Sequence, residues 1–264
     1  MAKFTHYLVT RFNVPVESWL HDHSGNITRD ENWFRHRLDL FQKFCVPSVL
    51  GQSVSNFQWI IYCDRATPAV QLKSIEASVQ DVPNVQIRFV ENLHQLVVDF
   101  KMLISQSTTP MVISSRLDND DAIGNDFIML IQEVAEGKEN AVINFDGGLF
   151  YDQDHKVMTR LKSDTTNPFI SLVEKYTSSG NLVTTLGFHH YEIPSGFKVI
   201  HVHDGFHWLR IIHSRNVRST MKGKPIFNTH HQALAAFNKN NFSISAFHTL
   251  LYILKRKWEV LAKK

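Results

Sequence analysis

The sequence predicts an α/β protein whose mostly parallel central sheet is flanked by helices. Apolar runs of strand length alternate with segments in which apolar residues recur at helical spacing, and several of the runs end in polar or charged residues. The 264 residues, 43% of them hydrophobic, are enough for one large core. Strands that alternate with helices pair in parallel through right-handed crossovers, as in the sheets that bind nucleotides.

The first half of the chain carries this alternation most clearly. Residues 6–14, HYLVTRFNV, predict a first strand, and residues 32–44 predict a helix. Arg35 and Arg37 interrupt the apolar face of that helix, and the periodicity leaves open which of them points inward. The elements that follow are predicted as a short helix at 47–53, a strand at 57–63, a helix at 67–79, a strand at 85–90 and a helix at 93–107.

The second half continues the pattern with shorter elements. After a strand at 111–113, we predict a helix at 126–136, a strand at 141–145, a hairpin of 149–151 and 157–161, a short helix at 167–176, a loop at 178–181 and a strand at 199–203. A polar, basic stretch without a clear pattern precedes a helix at 243–264. The chain therefore divides into a domain of residues 1–217 and a basic extension of residues 218–264.

Charge and cysteine content narrow the class of protein. From residue 213 onward the chain has ten Lys or Arg against one Glu, about +9, which leaves about −6 on residues 1–212. Cys45 and Cys63 form neither a metal-binding spacing nor a disulfide framework, which favours a reducing compartment. We expect a cytoplasmic protein, because the sequence shows no signal-peptide pattern and no apolar run of membrane-spanning length.

The most informative stretch is PMVISSRLDNDDAIG, at residues 110–124. A short apolar strand ends in Arg116 and then in three carboxylates, Asp118, Asp120 and Asp121, within four residues. Like charges so close repel one another unless a cation lies among them. Carboxylate and amide oxygens suit Mg²⁺ or Mn²⁺ rather than zinc.

This stretch has two other interpretations. It is not an EF-hand loop, because Ile123 and Met129 stand where that loop requires Gly and Glu. An acidic surface turn that caps the next helix stays open as the simpler alternative. The position of the cluster, at the end of an apolar strand in an alternating chain, favours a ligand site instead.

Five stretches together carry a resemblance to a known family: TRFN, PSVLGQS with FQWIIYCD, SSRLDNDDAI, FDGG and WLRIIHSRN. Between about Phe4 and Val217 the chain resembles bacterial glycosyltransferases of the A-type fold, and in particular the rhamnosyltransferase family of surface polysaccharide loci. The resemblance implies transfer of a sugar from a nucleoside diphosphate donor to a hydroxyl of a glycan or lipid-linked acceptor. Rhamnose comes from the family label alone.

The resemblance also implies a metal site. Asp118, Asp120 and Asp121 match the acidic motif that holds Mn²⁺ or Mg²⁺ against the donor diphosphate, and His213 stands where the family often completes that site. Which aspartates bind the metal and which orders the ribose stays open. His213 equally fits an ordinary core or surface histidine.

For the donor itself, the resemblance implies residues at the ends of the first two strands. Thr10, Arg11 and Asn13 at the first, with Asp64 and Arg65 at the second, would hold the base and the ribose. Each also fits a loop residue that caps a helix. Arg116 would pair with a phosphate, or would neutralise the neighbouring aspartates.

An inverting transferase needs a carboxylate that accepts the proton of the acceptor hydroxyl. Asp204 lies about where such enzymes keep this base, with Glu174 and Glu192 as rivals. Asp204 also fits a cap of a helix that would begin near Phe206. Trp208 could stack on a sugar ring, or belong to the core.

Two alternatives come from other classes of protein. Paired histidines with an aspartate suggest a zinc hydrolase built on His201, His203, Asp204 and His207, although their spacing does not match the metallo-β-lactamase pattern. The second alternative is a relative that binds nucleotide without catalysis.

The basic C-terminal helix admits two interpretations as well. Its apolar stripe beside Lys255, Arg256 and Lys257 would suit peripheral contact with the inner face of a membrane, or packing on the domain. Nucleic acid is not expected as a partner, because the basic segment lacks interleaved aromatic residues and a recognisable motif.

Overall fold

Two β-sheets form the centre of the computed structural model, which describes residues 4–16, 29–176, 182–216, 219–238 and 242–261, with side chains up to residue 258. The strands are β1 (Phe4–Arg11), β2 (Gln58–Asp64), β3 (Val85–Val90), β4 (Met111–Arg116), β5 (Ala122–Ile123), β6 (Ala141–Phe145), β7 (Gly147–Asp152), β8 (Val157–Lys162), β9 (Ser171–Lys175), β10 (Lys198–Val202), β11 (Trp208–Ile212) and β12 (Lys224–Ile226). The helices are α1 (Glu31–Leu40), α2 (Val46–Leu50), α3 (Ala69–Val79), α4 (Leu93–Ile104), α5 (Phe127–Ala135) and α6 (Ala246–Leu261).

The larger sheet has seven strands in the order β10-β6-β9-β4-β1-β2-β3. All neighbouring pairs are parallel except the two that involve β9. Helices α1, α3 and α5 pack on one face, and α4 packs on the other. The predicted α/β architecture with a mostly parallel, helix-flanked sheet is therefore confirmed. The carboxyl ends of β1, β2 and β4 consequently meet at one edge of the sheet.

A second, five-stranded sheet, in the order β12-β8-β7-β11-β5, extends from the first. Only Asp146 separates β6 from β7, so the chain passes directly from one sheet into the other. The glycines that follow are required by close packing, because a Cβ on Gly148 would lie 1.9 Å from the ring of Trp208. Trp208 itself is buried and stacks on Phe169 with ring centroids 5.3 Å apart, which makes it a core residue.

The two helices predicted at 32–44 and 47–53 join into one helical segment. Asp30 caps its start by accepting a hydrogen bond from the backbone N–H of Trp33 at 2.6 Å. A π-helical stretch, Phe41–Cys45, connects α1 to α2 without a break. The segment also answers the question left open by its periodicity: Arg37 is buried, whereas Arg35 faces solvent and pairs with Glu31 at 2.9 Å.

Two sequence-based predictions of helix are wrong. Residues 171–175 form β9 instead of a helix over 167–176, because their backbone pairs with both β4 and β6 and their apolar run is too short to favour a helix on its own. No helix begins near Phe206, where β11 starts at Trp208 and pairs with β7. The loop predicted at 178–181 lies outside the described residues.

The part of the chain after residue 218 packs on the second sheet. Strand β12 pairs with β8, and Leu234 and Phe237 are buried in the cluster that contains Leu149 and Tyr151. Neither β12 nor the 3-10 turn at Gln232–Leu234 was predicted. The domain boundary at residue 217 stays a prediction, while α6 confirms helical structure over 246–261.

The buried His6 makes the fold sensitive to acid. Its Nε2 lies 2.8 Å from Ser115 Oγ in the sheet, and burial lowers the pKa of His6 to about 3. The unfolded chain, in which histidine titrates near its ordinary pKa of 6.5, therefore binds more protons below pH 6.5, and protonation favours unfolding.

We predict that His6 alone removes about 2 kcal/mol of stability between pH 8 and pH 5. His6→Gln should lose that part of the pH dependence, whatever its effect at neutral pH. Urea denaturation at both pH values measures the free energy of unfolding. An unchanged pH dependence in the variant would show that His6 is not the group responsible.

Candidate active site

A cavity of about 560 Å³ opens at the edge where β1 and β4 end. This volume lies within the range of ligand-binding pockets. Its wall combines three kinds of side chain: arginines, acidic or amide groups, and aromatic rings. They include Arg11, Asn13, Arg29, Trp33, Arg37, Arg116, Asp118, Asn119, Asp120, Asp121, His189, His190, Tyr191, Arg210 and Asn216.

Asp118 lies between two arginines. Arg116 reaches both of its oxygens, at 3.3 Å from Nε and 3.1 Å from Nη2, and Arg11 Nη2 lies 3.3 Å from Oδ1. Burial alone would raise the pKa of Asp118, but the two guanidinium charges outweigh it and hold that pKa well below its usual range. Asp118 is therefore charged, with two arginines as the cations beside it.

Three side chains, one from α1 and two from the segment after β11, contact the same oxygen of Asp120. Oδ2 contacts Arg37 Nη1 of α1, lies 3.1 Å from His213 Nε2 and 3.4 Å from Asn216 Nδ2. His213 Nδ1 accepts a hydrogen bond from the backbone N–H of Arg215 at 3.2 Å, and Nε2 faces Asp120. Burial acts to raise the pKa of Asp120, but Arg37 and His213 lower it overall.

Asp121 has a different environment. Its Oδ1 accepts a hydrogen bond from the backbone N–H of Ile211 at 2.9 Å, which ties the acidic stretch to β11. Burial raises the pKa of Asp121 well above its usual value, and the neighbouring charge of Asp120 adds to the effect. The three aspartates thus divide into two charged groups that face arginines and one that fixes the loop to the strand before His213.

The donor residues predicted at the strand ends fall into two groups. Arg11 and Asn13 line the cavity, and Asn13 Oδ1 accepts from the backbone N–H of Asp64 at 2.9 Å, which links the ends of β1 and β2. Asp64 lies beside the cavity, where its carboxylate contacts Arg29 at 3.4 Å.

Thr10 and Arg65 are not brought to the cavity. The hydroxyl of Thr10 is fully buried and accepts from Trp59 Nε1 at 2.9 Å. Arg65 is exposed and pairs with Glu91 at 3.4 Å. Their geometry gives no support for contact with a donor in this conformation.

The cavity residues that were not predicted include Arg37, His190, Arg210 and Asn216. The signal for Arg37 was present, since a charged residue on the apolar face of a helix requires a buried partner. Burial, together with the charges of Arg116 and Arg210, lowers the pKa of His190 to about 4. The ring of His190 is therefore neutral near pH 7.

The candidate catalytic base stays a prediction. Asp204 is exposed and does not line the cavity, and its backbone carbonyl contacts His207 Nε2 at 2.8 Å. Glu174 is buried and accepts from the backbone N–H groups of Val183 and Thr184. Glu192 is exposed next to Tyr191, a cavity residue.

The four residues of the alternative zinc site do not converge. His201 and His203 both contact Asp146 through Nδ1, each at 2.7 Å, instead of turning toward Asp204 and His207. Across the described residues, no three histidine, cysteine or acidic side chains gather as a metal site. This holds for the aspartates of the cavity as well.

The donor chemistry of the cavity nevertheless suits a hard divalent cation. Asp118 and Asp120 offer charged oxygens, and His213 lies against Asp120, which fits Mg²⁺ or Mn²⁺ better than zinc. In this conformation Arg37 takes the position next to Asp120 that such an ion would need. The residues therefore fit a metal only if Arg37 moves away from Asp120.

Comparison with known families identifies the class to which these features belong. The model of a family described as "Putative rhamnosyl transferase" matches residues 5–225, a span that contains every residue lining the cavity. The chain belongs to this rhamnosyltransferase family. A comparison with curated proteins gave no match.

Solved structures of TarS from S. aureus are similar to this chain at 11% identity. TarS 1-349 has a TM-score of 0.43 and the match covers 78% of this chain and 60% of that one. Its complex with UDP has a TM-score of 0.46 with 80% and 61% covered, and its complex with UDP-GlcNAc 0.43 with 81% and 60%. This chain thus spans about 60% of the length of those chains.

We predict that Asp118→Asn destabilises the protein by roughly 3 kcal/mol, because Arg11 and Arg116 would lose the charge that offsets their mutual repulsion. Urea denaturation measures the loss. The control is Glu139→Gln, which removes an exposed pair with Lys175 and should cost less than about 1 kcal/mol. Equal losses in the two variants would contradict the role assigned to Asp118.

Proposed function

We propose that the protein is a metal-dependent glycosyltransferase that moves a sugar from a nucleoside diphosphate donor to a hydroxyl of a glycan or lipid-linked acceptor. The observation that carries the proposal is the cavity wall in which Arg11 and Arg116 contact the charged Asp118 and Arg210 adds a third positive charge. Membership of the rhamnosyltransferase family supports the reaction type. Rhamnose as the sugar rests on the family description alone.

The arginines suit the diphosphate of such a donor. A guanidinium group donates two parallel hydrogen bonds to a phosphate, and it keeps its charge in a partly buried site. Arg11 and Arg116 are the last residues of the adjacent parallel strands β1 and β4, and both contact Asp118 in the cavity wall. Asn13 and Asp64, at the ends of β1 and β2, would then lie where the ribose and base extend.

Asp118, Asp120 and His213 would hold the metal, which supplies positive charge to the diphosphate as the sugar leaves. Asp121 keeps its place through the N–H of Ile211 and so positions the neighbouring Asp120. The neutral ring of His190 lies in the same wall, where it can donate or accept one hydrogen bond without adding charge.

The stereochemical course is proposed as inverting. An exposed carboxylate, Asp204 or Glu192, would accept the proton of the acceptor hydroxyl as that oxygen attacks the anomeric carbon. Each lies in a segment close in sequence to cavity residues: Glu192 follows Tyr191, and Asp204 precedes β11, which carries Arg210.

We predict that the protein releases nucleoside diphosphate from at least one nucleotide sugar, and that release requires Mn²⁺ or Mg²⁺. Screening uridine, thymidine and guanosine diphosphate sugars with each metal and with EDTA measures the reaction. Asp120→Asn should lower the rate about a hundredfold or more, by the loss of a charge at the developing diphosphate. Glu139→Gln, an exposed acid, should leave the rate unchanged.

Measurements of nucleotide binding and of hydrolysis, made beside the release assay, separate the alternatives. Binding of nucleotide without turnover would identify a non-catalytic relative. Zinc-dependent cleavage of an ester or lactam, abolished by His201→Ala, would identify a hydrolase instead. Full activity in EDTA would remove the metal from the proposal while leaving the transfer reaction in place.

A lipid-linked acceptor would favour contact between α6 and the inner face of the membrane. Phe247, Leu250, Leu251, Leu254 and Trp258 are all exposed, from 46% to 75%, and form one stripe at helical spacing. At about 100° per residue, Lys255 and Lys257 fall on opposite flanks of this stripe, a pattern typical of helices that lie on anionic lipid. Among the described residues, none of the helices has the length and apolarity to cross a bilayer.

We predict that the protein sediments with phosphatidylcholine vesicles only when they contain phosphatidylglycerol. Leu254→Glu should weaken that binding at least about tenfold, because it places a charge in the apolar stripe. Val70→Glu is the control, since Val70 is 78% exposed on α3, outside the stripe. Equal binding of the two variants, or no preference for anionic lipid, would contradict the membrane contact.

A further inference from the structure

Arg37 reaches the acidic cluster from α1, an element that contributes no predicted donor-binding residue. Its side chain is 10% exposed and lies over the ring of Trp33, with the guanidinium carbon 5.3 Å from the ring centroid. Nη1 contacts Asp120 and lies 3.4 Å from Asn119 Oδ1. The position therefore places a cation where a divalent ion would otherwise compensate Asp120.

Arg37 contacts the same oxygen of Asp120 that faces His213. Asp120 Oδ2 lies 3.1 Å from His213 Nε2 and 3.4 Å from Asn216 Nδ2, in addition to its contact with Arg37. A divalent ion at this oxygen would lie next to the positive guanidinium of Arg37, and like charges repel. Binding of a metal at Oδ2 therefore requires Arg37 to leave.

Arg37 also has a donor without a partner. Its Nε is buried and forms no hydrogen bond with the described residues. A buried arginine that serves only packing usually has its donors satisfied, because an unsatisfied group costs free energy. Arg37 lines the cavity, so a movement of its side chain toward a bound phosphate would let a phosphate oxygen accept from this group.

We propose that Arg37 is an internal cation that occupies the metal position at Asp120 until the donor arrives, and then moves to the donor diphosphate. This proposal rests on the proposed function, since it assumes a diphosphate and a divalent ion in the cavity. A metal ion that binds without nucleotide displaces Arg37 from Asp120 and leaves its guanidinium group without another anion to contact. Metal with diphosphate offers Arg37 another anion, to which guanidinium groups bind well.

The consequence is coupled binding of metal and nucleotide. Each ligand strengthens the binding of the other by the same factor, because their binding free energies are linked through the position of Arg37. The protein would thus avoid loading metal when no donor is present. Removing the charge of Arg37 should abolish much of this coupling and strengthen the binding of metal alone.

The test measures Mn²⁺ binding without nucleotide, by the EPR signal of free Mn²⁺. We expect Arg37→Met, which keeps the length and apolar stem of the side chain but not its charge, to bind Mn²⁺ roughly tenfold tighter than the wild type. Arg37→Ala should behave alike if it folds, as checked by its thermal transition. Arg35→Ala, on the same helix but 71% exposed, is the matched control and should bind as the wild type does.

A second measurement adds uridine, thymidine or guanosine diphosphate to the same titrations. Nucleotide should strengthen Mn²⁺ binding to the wild type clearly more than to Arg37→Met. Unchanged Mn²⁺ affinity in a folded Arg37→Met would overturn the proposal, as would equal coupling in the two proteins. Neither result would touch the transferase, whose own failure would appear as absent diphosphate release from every nucleotide sugar.

Discussion

The contact of Asp120 with Arg37 and His213 is the interaction on which the rest of the site depends. Three carboxylates within four residues cannot remain buried together unless cations or backbone donors reach them. The chain supplies these from β1, α1, β4 and β11, so the acidic stretch determines where four separate elements meet. The cavity is the space left between them.

Much of the fold could be predicted because its signals are local. Strands β1 to β4 and helices α3 to α5 appear where apolar periodicity indicates, with boundaries shifted by a few residues. Strands β9 and β11 could not be recognised, since each is short and owes its structure to pairing with strands distant in sequence. The same limit applies to β12, whose partner β8 lies about sixty residues earlier in the chain.

The residues of the candidate site also divide into those that the sequence predicted and those that it did not. His213 lies 3.1 Å from Asp120, because both follow strands that end at the same cavity, and its role as a metal ligand stays a prediction. Arg37 and Arg210 were missed, since an arginine within an apolar helix or strand gives no indication of the group it will meet. Thr10 and Arg65 were predicted as donor-binding residues but do not line the cavity. A position at a strand end indicates the edge of the sheet, but it does not give the direction in which the side chain points.

The orientation of Arg37 depends on the number of residues in the π-helical stretch Phe41–Cys45. A π-helical turn accommodates about one residue more than an α-helical turn, and each residue of a regular helix adds about 100° of rotation. Deleting a single residue there would remove the extra residue of that turn and rotate α1 relative to the sheet on which α2 packs. Arg37 would then rotate out of the acidic cluster. The extra residue of the π-helical turn therefore determines the direction in which the guanidinium group of Arg37 points.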